Sequence, residues 1–120
     1  MTTPRQYPRS ERVRAQIKQV LADEIERLRD PGLGFATITD VTLTPDLRRA
    51  TAYYTVLGED VEIAATHDAL KRATKHLRAA VAKQVRLRYV PELELVPDPV
   101  PERAHRVDEL IAKLYRQDDR

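Results

Sequence analysis

Apolar residues recur at helical spacing at Val13, Ile17, Val20, Leu21, Ile25 and Leu28, which predicts an amphipathic helix with one buried face. Ser10 is placed to cap its start, and Asp30-Pro31-Gly32-Leu33-Gly34 ends it. Phe35 to Leu43 is rich in Thr, Ile and Val, but its alternation slips between Ile38 and Val41. That predicts a strand with a bulge near Asp40. Thr44-Pro45-Asp46-Leu47 carries turn residues, and from Arg49 to Leu57 strict alternation resumes, with Ala50, Ala52, Tyr54 and Val56 on one face. The two strands are expected to form a hairpin.

Gly58-Glu59-Asp60 closes the second strand, with Asp60 as the expected cap of a long helix that begins near Val61 and reaches about residue 86. Leu70, Ala73, Leu77 and Val81 form its apolar face. Pro91 pushes residue 90 towards extended geometry. A third strand is therefore expected over Glu92 to Val96, broken by the prolines at 97, 99 and 101. Val107, Leu110, Ile111 and Leu114 are spaced for a short closing helix. The predicted order is helix, strand, strand, helix, strand, helix. A hairpin joined through a helical crossover to a third strand makes a three-stranded mixed sheet covered by helices, an α+β fold. Residues 1–9 are read as a flexible leader, 10–116 as one domain and 117–120 as a tail.

Charge changes this picture. The 23 residues between Asp68 and Glu92 contain no acid, yet they carry Lys71, Arg72, Lys75, Arg78, Lys83, Arg86 and Arg88. Elsewhere the acids outnumber the bases, so a net charge of only +2 conceals a polarised molecule. Ordinary solvated helix faces mix both signs, often as Glu and Lys four residues apart. An unbalanced basic stripe suits a polyanion, because each cation can displace a counterion condensed on a phosphate backbone. A membrane surface fits less well, since the helix is Ala-rich where membrane helices carry large apolar residues. Nor does any run of apolar residues reach membrane-spanning length, and the amino-terminal segment lacks the apolar stretch of a signal peptide. A cytoplasmic protein is expected.

Candidate chemistry is sparse. Without cysteine there are no disulfides or thiolate metal sites. His67, His76 and His105 do not make a metal-binding spacing with a third ligand, and Ser10, the only serine, reads as a helix cap and not as a nucleophile. No phosphate-cradling glycine loop occurs, because the only glycines are Gly32, Gly34 and Gly58. The expectation is a binding protein with no catalytic residues, no metal and no cofactor. Tyr54 shares a face with Ala50, Ala52 and Val56 and is expected in the core, whereas Tyr89 is open to either a packing or a base-stacking role.

Several segments together resemble one family, ribosome-binding factor A. Leu87-Arg88-Tyr89-Val90-Pro91-Glu92-Leu93 is close to its L-R-x-V-P-E-L block. Asp30-Pro31-Gly32-Leu33-Gly34 resembles its D-P-R-L-G turn, and Pro45-Asp46-Leu47 followed by Ala50 resembles its hairpin. Arg12-Val13 and Arg106-Val107-Asp108-Glu109-Leu110-Ile111 fit its two ends more loosely. The resemblance implies a type II KH-like domain that binds the immature small (30S) ribosomal subunit and assists late maturation of 16S rRNA without catalysis, as a monomer. It leaves room for an assembly GTPase as a further partner. It also implies a kink in the long helix, where the family has Ala-x-Gly and this chain has Ala73-Thr74-Lys75. Lys resists dihedrals that Gly tolerates, and it adds a cation. Lys75 as a phosphate contact and Lys75 as an ordinary helix former both stay open.

On this reading the seven cations from Lys71 to Arg88 supply phosphate contacts to ribosomal RNA. Two rivals remain: a non-specific nucleic-acid-binding protein, and an interaction module whose basic helix meets an acidic protein. Salt separates phosphate binding from a packed protein interface, because only the former loses affinity steeply as salt rises.

Overall fold

The computed structural model describes residues 8–100. Helix α1 (Pro8–Arg27) precedes strands β1 (Phe35–Leu43) and β2 (Arg49–Leu57), followed by helix α2 (Asp60–Gln84) and strand β3 (Glu92–Pro97). The expected closing helix, the tail and most of the leader lie outside the described residues. Strand order is β1-β2-β3, with β1 antiparallel and β3 parallel to the central β2. This is the expected mixed α+β sheet. The register shifts between Ile38 and Asp40, so Thr39 is the extra residue of a bulge at the predicted place.

The core lies between one face of the sheet and the two helices. From α1 come Val13, Ile17, Val20, Leu21 and Ile25; from α2 come Leu70, Leu77, Ala80 and Val81; Ile38, Val41, Ala52 and Tyr54 rise from the sheet. Tyr54 is buried as expected, and its hydroxyl hydrogen-bonds His67 Nδ1. Burial away from water pushes the Tyr54 phenol pKa up.

Both helix starts differ from expectation. α1 begins at Pro8, two residues ahead of Ser10, because proline fits the first helical position, where its missing N–H is not needed. Ser10 therefore stands in the first turn. α2 begins at Asp60 with Glu59 at the cap position, since Glu62 reaches back and its Oε1 accepts the Glu59 N–H at 2.9 Å. Asp60 thus sits inside the helix, where its charge complements the helix dipole. At the other end α2 stops at Gln84, because Val85 turns to extended geometry and buries its side chain in the core. Ala73-Thr74-Lys75 is helical throughout. Thr74 Oγ1 donates to Leu70 O at 3.0 Å, a back-bond that bends helices slightly, and Lys75 keeps the helix propensity that a glycine would lack.

The turn after α1 docks on α2 through Thr66, which is fully buried. Its Oγ1 donates to Glu62 O at 2.8 Å and accepts the Gly34 N–H at 2.9 Å. A Cβ on Gly34 would stand 3.0 Å from that oxygen, so a larger residue there would have to push the hydroxyl back by a few tenths of an ångström. Thr66→Val keeps the shape and leaves the Gly34 N–H without its partner. It is expected to cost about 1–3 kcal/mol in chemical denaturation. A loss near zero would mean that water replaces the hydroxyl there.

Candidate nucleic-acid interface

All seven predicted cations are exposed, five on α2 and two on the connection to β3. The helix spreads its five over two lines. Lys71, Lys75 and Arg78 follow one another at spacings of four and three, while Arg72, His76 and Lys83 follow a neighbouring line on the side of α1. The second line is partly tied down. Arg72 grips Asp30 with two bonds, Nε to Oδ2 and Nη2 to Oδ1, each 3.0 Å, and His76 Nε2 lies 3.1 Å from Glu24 Oε1. Arg72 therefore holds the glycine turn against α2.

Arg78 is also engaged, but differently. Its Nε and Nη2 donate to Pro91 O at 3.0 Å and Val90 O at 3.1 Å, fastening the α2–β3 connection to the helix without cancelling the charge. Lys75, Arg78 and Val90 thereby line a shallow groove of about 290 Å³. Lys71, Lys75, Lys83 and Arg86 have no ion pair or hydrogen bond among the described residues. They are the cations most available to phosphate.

The Arg72 guanidinium holds the Asp30 carboxyl below its ordinary value of 3.8, helped by the Gly32 N–H. Because the folded pKa is the lower one, this contribution to stability is complete above the unfolded value and disappears as pH falls through the folded value. The pair is exposed to solvent, so the effect is small. Thermal midpoints of wild type and Asp30→Asn should differ at neutral pH and converge in acid. A difference that persists at the most acid pH would assign the loss to something other than this carboxylate.

Sequence reasoning missed a second group of cations. In a β-α-β crossover the start of β3 lies beside the start of β2, and the parallel register pairs Arg49 with Glu92. The Glu92 N–H donates to Arg48 O at 2.8 Å. Arg48 and Arg49 are thus brought next to Arg88 and Tyr89, and the Arg48 guanidinium sits 4.1 Å from the centre of the Tyr89 ring. The crossover rule was the available signal. Tyr89, left open by the sequence, is half-exposed on this surface and not part of the core.

Among the described residues no group of His, Asp and Glu is arranged to hold a metal ion, and no helix is long and apolar enough to cross a membrane. His105 lies outside them.

The family model for ribosome-binding factor A matches residues 9–111. The chain belongs to that family. A ribosome-binding factor A from Acidothermus cellulolyticus is 47% identical over 92% of this chain and 74% of its own length. One from Cutibacterium acnes is 44% identical over 98% of this chain and 82% of its own. Among solved structures, the crystal structure of ribosome-binding factor A from Thermus thermophilus superimposes with a TM-score of 0.64 at 37% identity, covering 72% of this chain and 92% of the other. A homology model of the Thermus thermophilus ribosome-binding factor A, fitted into a cryo-EM map of a complex between the 30S subunit and ribosome-binding factor A, gives 0.60 at 38% identity, covering 71% and 90%. Both support the α+β fold described above.

Proposed function

We propose that this protein binds the small ribosomal subunit and its 16S rRNA during late assembly in the cytoplasm, acting as a monomer through the basic surface of α2 and the segment that follows it. What carries the reading is that Lys71, Lys75, Arg78, Arg86 and Arg88 are all exposed on a path that has no carboxylate in the chain between Asp68 and Glu92. The path lies on a fold shared with a relative fitted into a 30S complex. Lys71, Lys75, Lys83 and Arg86 contact phosphates, and Arg78 and Arg72 keep the surface in shape from within. Such contacts fix position and orientation but do not read sequence. The protein supplies no reaction; it stabilises one arrangement of the RNA by binding it. An assembly GTPase would act on the complex so formed.

Co-sedimentation with mature and immature small subunits over a series of salt concentrations tests this. Binding should favour the immature particle and weaken steeply with salt. Equal, salt-insensitive binding to both particles, or none to either, would remove the ribosomal reading.

A further inference from the structure

Tyr89 is one of three large apolar residues left exposed among the described ones. Two guanidinium groups surround it, Arg48 at 4.1 Å from the ring centre and Arg88 at 5.7 Å. These three side chains form the wall between two open hollows at the start of the β2–β3 pair. One, of about 400 Å³, lies towards Leu47 and Leu87; the other, of about 580 Å³, lies towards Arg49 and Glu92. Leu47 takes a φ of 60°, a left-handed conformation uncommon for a branched side chain, at the turn that delivers Arg48 to the ring. Backbone conformations of this kind concentrate where a surface is held for use.

We infer that Tyr89 and Arg48 form a stacking platform for an unpaired base of single-stranded RNA, with Arg88 and Arg49 holding the phosphates on either side. The platform rests on the rRNA reading above for its choice of polymer, but it makes a separate demand: the RNA must present a base outside a duplex. Aromatic rings and arginine planes both accept a base face, whereas a duplex hides its faces within the helix. Glu92, on the rim of the second hollow, repels phosphate and accepts an N–H, so it favours the amino-bearing edge of a base on its side. Asp46, at the first hollow, is already committed: its Oδ1 accepts from Thr44 Oγ1 at 2.7 Å and from the Arg48 N–H at 3.1 Å. Arg9, Arg48 and Arg88 also line this hollow, so its cations outnumber that one carboxylate. The groove of Lys75 and Arg78 shares Val90 with the second hollow, and the two therefore adjoin. A backbone following α2 reaches the platform without crossing a carboxylate other than Glu92.

The test uses the full chain and fluorescence anisotropy with three probes of equal length, about ten nucleotides: single-stranded oligoadenylate, its abasic counterpart, and a blunt RNA duplex. Tyr89→Leu should weaken oligoadenylate binding by roughly fivefold to a hundredfold, the range for loss of one stacked base. Tyr89→Phe should retain it. Binding to the abasic strand and the duplex should not change, and the salt dependence should stay that of wild type, since no charge is altered. Arg48→Ala, at an exposed turn, should lower oligoadenylate binding more than duplex binding, and thermal unfolding confirms that each variant is folded. The inference is overturned if Tyr89→Leu binds oligoadenylate as wild type does, or if it loses single strand and duplex equally, since the ring would then only position its arginines. It falls alone if wild type still sediments with subunits. If wild type does not sediment with subunits yet loses oligoadenylate through Tyr89, the ribosomal target is wrong and the platform stands.

Discussion

Leu77→Ala is expected to destabilise the domain by about 2–5 kcal/mol. Leu77 is fully buried, on the α2 face that also carries Leu70 and Val81, and these residues join Ile17 and Leu21 of α1 in one core. Alanine retains helix propensity, so the loss reports the emptied volume and the missing contacts and not a weakened helix. The spread reflects how far neighbours relax into the space. Val61, on the same helix, offers the contrast: it is 81% exposed, and Val61→Ala should change stability by less than about 0.5 kcal/mol. Urea unfolding of both variants decides the matter. A Leu77 loss within error of zero, or one equal to that of Val61, would mean that the buried face has been misassigned.

Leu77 was legible in the sequence because helical periodicity requires only the chain itself. The same holds for the hairpin. Thr44-Pro45-Asp46-Leu47 sets a turn by fixed dihedrals and side-chain bonding, and the slip between Ile38 and Val41 reported the bulge, because a single extra residue moves every later side chain to the other face. Helix ends were less legible. Pro8 and Ser10 are both sound first-turn residues, and Glu59 became the cap because Glu62 was in reach of its N–H, a choice between neighbours worth a fraction of the folding energy.

The candidate site divides in the same way. Its charge was visible as a run without acids, but charge in sequence does not say whether a cation faces water or a partner within the fold. Asp30 lies 42 residues from Arg72, and the carbonyls of Val90 and Pro91 accept from Arg78 only because the connection folds back over the helix. These are tertiary contacts with no local signature. Arg48 and Arg49 were passed over for a similar reason. They stand among mixed charges in the chain, and the parallel pairing of β2 with β3 is what sets them beside Tyr89.

Those contacts also choose the variant that tests the basic surface. Reversing Arg72 would place a second carboxylate against Asp30, and reversing Arg78 would aim one at two backbone carbonyls, so either change mixes folding with binding. Lys71, Lys75 and Lys83 avoid this, having no ion pair or hydrogen bond among the described residues. The triple variant Lys71→Glu, Lys75→Glu, Lys83→Glu is expected to fold with an unchanged circular dichroism spectrum and to bind ribosomal RNA on the order of a hundredfold more weakly at low salt. Each phosphate contact contributes roughly 0.7–0.9 to the slope of log affinity against log salt, so losing three should flatten that slope by about 2 to 3. The slope is the sharper measurement, because a general loss of stability lowers affinity without altering the number of counterions released. Lys75 is then tested alone: Lys75→Arg should retain the slope, and Lys75→Gly should lose about one contact while weakening the helix by roughly 1 kcal/mol. A folded triple variant with the wild-type slope would place the phosphate-binding surface elsewhere on the domain and leave these lysines as solvated helix residues.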